Sequence, residues 1–109
     1  MKVVLQKLEM FLKSLFPTRI SFDDGSYIEY LNREAIRYSE STTHNMEIVW
    51  FFNPKRLRGR ILSRSDICRW DAPHENEPIS AVKRREIEQK ILKYCEKRRI
   101  SLAIVDQPI

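Results

Sequence analysis

Arg19-Ile20-Ser21-Phe22-Asp23-Asp24-Gly25-Ser26-Tyr27-Ile28-Glu29-Tyr30-Leu31 is the stretch on which the fold turns. Two short runs rich in aromatic and β-branched residues flank Asp24-Gly25, and a glycine there can take the positive φ that tight hairpin turns demand. Strands over 19–23 and 26–31 are therefore expected, joined as a hairpin. The same composition continues downstream in runs over 34–39 and 46–52. Asn32-Arg33 forms a weaker turn, and the polar run from Glu40 to Asn45 forms a longer loop with nothing to bury. Asn53-Pro54 breaks the chain, after which 59–68 reads as a fifth strand with Ile61 and Ile67 among polar residues.

The flanks are helical. Upstream, Val4, Leu5, Leu8, Phe11, Leu12 and Leu15 recur every three or four positions, which predicts an amphipathic helix over 4–16 that Pro17 ends. Downstream, the aperiodic loop 70–78 leads to Ser80, an N-cap candidate. The helix it starts runs to about Arg98, with Ile87, Ile91, Tyr94 and Cys95 on one face. Lys83 stands where a capping box wants Glu or Gln. A last short strand follows over 100–105. The expected architecture is α+β: a mostly antiparallel sheet of five to six strands, with an N-terminal and a C-terminal helix packed on one face.

The 109 residues, 42% hydrophobic and 32% charged, suit one core and a single domain over 1–109. The longest apolar runs, 48–52 and 102–105, fall far short of the roughly 20 residues that cross a bilayer, so no membrane partner is expected. Charges interrupt the first residues and no small-residue cleavage site follows, which reads as mature sequence. Cys68 and Cys95 make neither a disulfide framework nor a zinc site. Buried free thiols in a reducing cytoplasm are the expectation.

The net charge of +5 is a mosaic: 21–52 and 70–80 are acidic, the segments around them basic. Phosphate neutralisation needs clustered cations, so Lys55, Arg56, Arg58, Arg60 and Arg64 are the candidate nucleic-acid contacts. Trp50, Phe51 and Phe52 precede them. As part of a central strand these aromatics fill the core; exposed, they would stack on bases. The basic residues of the C-terminal helix have Glu86, Glu88 and Glu96 to pair with.

Chemistry is thinly represented. His44 and His74 are the histidines available for general acid–base cleavage of RNA, but both lie in polar loops and nothing in the sequence brings them to one phosphate. His74 and Glu75 with Asp71, Glu77 and Cys68 lack the spacing that makes a metal site specific. Neither a glycine-rich phosphate loop nor a Gly-x-Ser-x-Gly elbow is present. No catalytic residue, metal ligand or cofactor is assigned, and the chain is not expected to be an enzyme.

The most distinctive stretch is Cys68-Arg69-Trp70-Asp71-Ala72-Pro73-His74-Glu75-Asn76-Glu77-Pro78-Ile79-Ser80. Trp70 at a strand end, packed near Pro73, would act as a structural anchor for the acidic loop. The segment 70–104, carried by Trp70, Pro73, Pro78 and Ile79, resembles the C-terminal half of a family of small bacterial immunity proteins. Its members are encoded beside polymorphic or contact-dependent growth-inhibition toxins. What the resemblance implies is non-enzymatic: binding the C-terminal domain of one cognate toxin in the cytoplasm and blocking its active site or substrate surface.

A toxin that cuts nucleic acid would carry a basic cleft, and charge complementarity then nominates two acidic groups as the partner-binding residues. These are Asp23, Asp24, Glu29 and Glu34, and the loop residues Asp71, His74, Glu75 and Glu77, with Tyr27 or Tyr30 as aromatic hot spots. A second copy of the chain is a further candidate partner. The alternative readings are a small basic RNA- or DNA-binding module and, behind it, a metal-independent ribonuclease.

Overall fold

The computed structural model describes residues 18–41 and 43–106; the helix expected over 4–16 lies outside them. The hairpin forms as expected, from β1 (Arg19–Ser21) and β2 (Tyr27–Asn32), with Ile20 opposite Ile28. Gly25 turns it at φ 89°. The Phe22 N–H donates to the Ser26 carbonyl at 2.8 Å, and the Gly25 N–H to the Phe22 carbonyl at 3.1 Å. β3 (Ala35–Ser39) and β4 (Asn45–Val49) extend the meander, so the first sheet is antiparallel in the order β1-β2-β3-β4.

Period-two alternation sets its register. Ile28, Ile36, Tyr38, Met46 and Ile48 are wholly buried on one face. On the other, Arg19 lies opposite Glu29, Glu29 opposite Arg37 and Arg37 opposite Glu47. Charges of alternating sign thus cross all four strands, with Arg19–Glu29 at 3.0 Å and Arg37–Glu29 at 3.7 Å. Each such exposed pair stabilises by about 1 kcal/mol at most. Slippage by one residue would bury this row and expose the isoleucines, so the pattern resists it strongly.

The expected strand over 46–52 is divided, and with it the expected single sheet. The last β3–β4 pair is Ala35 with Val49. Trp50 then donates its backbone N–H to the Glu34 carbonyl at 2.9 Å and its indole N–H to the Arg33 carbonyl at 3.0 Å. Both carbonyls belong to the β2–β3 turn, beyond which β3 offers no partner. The chain therefore leaves for a second sheet of β5 (Phe51–Asn53), β6 (Gly59–Ser63) and β7 (Ser101–Val105). The strand expected over 59–68 also ends early. Ser63 caps a 3-10 turn, Arg64–Asp66, its hydroxyl accepting from the Ser65 N–H.

β6 and β7 pair in parallel, which requires a crossover, and α1 (Ala81–Lys97) provides it. Ser80 is its N-cap, accepting from the Lys83 N–H at 3.0 Å, and Ile87, Ile91, Tyr94 and Cys95 are buried as expected. In place of a capping box, the Lys83 ammonium bonds Glu40 at 2.5 Å and Glu86 at 3.1 Å. At the other end Arg99 adopts φ 57°, where glycine is usual. The Ile100 N–H reaches the Cys95 carbonyl at 2.8 Å and the Arg99 N–H the Glu96 carbonyl at 3.2 Å, completing a Schellman turn.

One buried cluster joins both sheets and the helix, from Ile28 and Tyr38 through Trp50, Leu62 and Trp70 to Ile91 and Tyr94. Among the described residues one helix, the expected C-terminal one, packs on the strands, and none is long and apolar enough to cross a membrane. The thiols differ from each other: Cys95 is buried, with its pKa pushed up to about 12 by that burial, while Cys68, expected inside, is exposed.

Gly59 faces the turn that precedes it, and an added Cβ would stand 2.7 Å from the Asn53 carbonyl oxygen and 2.9 Å from that of Arg56. Both obstacles are backbone and cannot swing aside. Gly59→Ala is expected to lower stability by about 1–3 kcal/mol, read as a fall in the urea midpoint. An unchanged midpoint would show that the β5–β6 turn relaxes freely.

Candidate functional site

In the loop after β6, Trp70 is 6% exposed, and its ring stacks near Tyr38 (6.2 Å) and meets the His44 ring edge-on at 5.2 Å. Pro73, the other expected anchor, is exposed. The loop is instead tied to β4. The Asp71 N–H donates to the Asn45 carbonyl at 2.8 Å, and the Asp71 carboxylate accepts from the Glu47 N–H at 3.3 Å. Two successive turns follow, His74 N–H to the Asp71 carbonyl and Glu77 N–H to the His74 carbonyl, each at 3.0 Å.

These turns carry His74 against His44, with ring centroids 3.8 Å apart and planes 17° from parallel. The Glu77 carboxylate bridges them. Its oxygens lie 3.1 and 3.3 Å from His44 Nε2, and one of them bonds His74 Nδ1. Hydrogen bonds from His44 and then His74 hold the Glu77 carboxyl below the ordinary carboxylate range. The three donor atoms lie within 4.8 Å of one another, close enough to hold a cation. A cleft of about 420 Å³ opens beside them, lined in part by Glu40, Trp70 and Lys83. Nothing local in the sequence signals this meeting, because the histidines stand in different loops that are brought together by the bonds of Asp71 to Asn45 and Glu47 and by the contact of Trp70 with His44. As a ribonuclease pair they are poorly set: they stack face to face on one carboxylate rather than flanking a phosphate.

Most of the nominated acids have internal partners. Asp24 bonds Lys90 at 2.5 Å, which with Ser26 holds its carboxyl well below the ordinary range. Glu29 is shared by Arg19 and Arg37. Asp23, Glu34 and Glu75 are exposed and have no ion pair among the described residues. Tyr27 lies under the Arg19 guanidinium at 4.0 Å and Tyr30 near that of Arg98 at 5.0 Å, both partly buried.

The basic run likewise divides. Arg64 is held by Glu88 and Asp106. Arg58 donates to the Arg98 and Arg99 carbonyls at 3.1 and 3.2 Å, satisfying the end of α1. Lys55 and Arg56 stand exposed in the turn. Arg60 lies 5.9 Å from the rings of both Trp50 and Phe52.

The aromatic triplet also separates, and sequence reasoning missed how. Trp50 is 1% exposed, but Phe51 is 43% and Phe52 67% exposed, beside Val49 at 43%. With Arg33, Glu34 and Arg60 they line a cleft of about 450 Å³. Among the described residues β4 and β5 are outer strands of their sheets, and this apolar patch lies where the chain passes from one to the other.

The family model described as immunity protein 74 matches residues 33–105, from the β2–β3 turn through β7. The match contains the whole segment 70–104 and extends through β3 to β6. No match is found among curated proteins or among solved structures.

Proposed function

The chain belongs to the immunity protein 74 family, and we propose that it neutralises one cognate toxin by binding the toxin's C-terminal domain, with no catalysis of its own. Membership in an immunity family implies the toxin as partner. The docking face is read from the surface: Val49, Phe51 and Phe52 leave a contiguous apolar patch in water where β4 passes to β5. That exposure is the observation that carries the reading, because solvent-facing aromatics beside an arginine have the composition of interface hot spots.

The toxin of this proposal is a nuclease of the contact-dependent growth-inhibition type, met in the cytoplasm of the protected cell. Glu34 lies at the rim of the patch and would answer a basic substrate surface. Asp23 and Glu75 would act at longer range, on the rate of encounter.

Co-expression with the toxin encoded beside it tests this. The expected result is a complex that survives size exclusion at moderate salt and cells that survive the toxin. Failure to associate would remove the reading. Phe51 and Phe52 beside Arg60 also favour a second one, stacking on single-stranded nucleic acid. That reading requires the chain alone to retard RNA or DNA in a salt-dependent way, with the shift lost in Arg56→Ala/Arg60→Ala.

A further inference from the structure

The half-buried histidine cluster lies apart from the apolar patch and has no part in the docking just described. We propose that His44, His74 and Glu77 form a binding site for one divalent transition-metal ion of the zinc class, leaving a coordination position open. Two imidazole nitrogens and one carboxylate oxygen are the donors that zinc, cobalt(II) and nickel(II) share. Calcium and magnesium would call for an all-oxygen set, which this is not.

The geometry needs one adjustment. Donors that each stand about 2.0–2.1 Å from a tetrahedral zinc are roughly 3.3 Å from one another. His44 Nε2 already lies 3.1 Å from Glu77 Oε1, and His74 Nδ1 is in contact with the other oxygen. The two ring nitrogens, at most 4.8 Å apart, must draw together. Stacked rings point their lone pairs side by side, so capture tilts one ring until both converge. The side chains have room for this, His44 being 27% and His74 25% exposed.

Other contacts prepare the site. The Thr43 hydroxyl lies 2.9 Å from His44 Nδ1, which occupies that nitrogen and leaves Nε2 as the ligand. Metal-bound histidines are usually oriented by such an outer contact. Trp70 closes one side of the His44 ring, and the neighbouring cleft gives water or a partner's side chain a route to the open position.

The experiment uses the full chain without an affinity tag, titrated with zinc chloride by calorimetry and with cobalt chloride by visible absorption. One ion per chain is expected, with micromolar affinity, and the cobalt form should show the intense visible bands of a low-coordinate site. His74→Ala and Glu77→Gln should each weaken zinc at least about tenfold, while Cys68→Ser, which removes the exposed thiol, should bind like the parent. Circular dichroism serves to check that each variant is folded. His44→Asn, which preserves bulk beside Trp70, supplies a further ligand variant. Absence of binding, or binding lost in Cys68→Ser but intact in His74→Ala and Glu77→Gln, would overturn the proposal. Zinc binding without toxin binding would leave the site standing and remove only the neutralisation reading.

Discussion

Trp50→Ala should lower the unfolding free energy by about 3–5 kcal/mol, a large share of the stability of a domain this small. Trp50 is 1% exposed in the cluster shared by both sheets and α1. Truncation empties the largest wholly buried side chain and leaves the Arg33 carbonyl without its indole donor. The effect goes beyond volume, because Trp50 is where the chain changes sheets. Trp50→Phe should cost less, since the ring still fills most of the space and the loss is chiefly one hydrogen bond, about 1–2 kcal/mol. Urea unfolding followed by far-ultraviolet circular dichroism measures both without relying on the fluorescence of the residue removed. A loss below about 1 kcal/mol in Trp50→Ala would mean that the junction is held by the strands alone.

That junction also marks where sequence reasoning reached its limit. Met46, Ile48 and Trp50 alternate inward, and the same period points Phe52 inward, yet Phe52 is 67% exposed. Alternation describes the faces of a strand but carries no information on which neighbour the strand pairs with. The missing signal lies in the turn. Once Asn32-Arg33 ends β2, an antiparallel β3 begins near Ala35, and counting the register across to β4 leaves Trp50 beyond the last pair. The Gly25 hairpin, the Ser80 cap and the buried stripe of α1 were legible, because each is decided by residues within a few positions of one another. His44 and His74 meet because the loop after β6 is tied through Asp71 to β4, and no local pattern encodes that.

Charge was misleading for a related reason. The sequence counts charges by segment, whereas the fold pairs them across segments: Asp24 with Lys90 of α1, Glu40 with Lys83, Arg64 with Glu88. A surface whose acids are occupied in this way has less to offer a basic cleft than the count suggests. Arg58 shows the same for cations, since its guanidinium serves the carbonyls that end α1.

Affinity for the toxin should therefore depend more on the exposed aromatics than on the acids. Phe52→Ala is expected to weaken binding by about 2 kcal/mol or more, roughly thirtyfold in Kd, and Phe51→Ala/Phe52→Ala further still. Folding should be little affected, because neither ring belongs to the buried cluster and their removal opens no cavity in the core. Arg60→Ala should also lose affinity, by freeing the Phe52 ring that its guanidinium approaches. Reversing Asp23, Glu34 and Glu75 together should chiefly slow association and steepen no dissociation rate, as expected of exposed charges that steer an encounter. Asp24, Glu29 and Glu77 are left out of that variant, since changing them breaks internal pairs and would confuse stability with binding. Surface plasmon resonance against the toxin domain separates the two rates. Faster dissociation in the acid variant, with Phe51→Ala/Phe52→Ala binding like the parent, would move the docking face to the acidic side of the molecule.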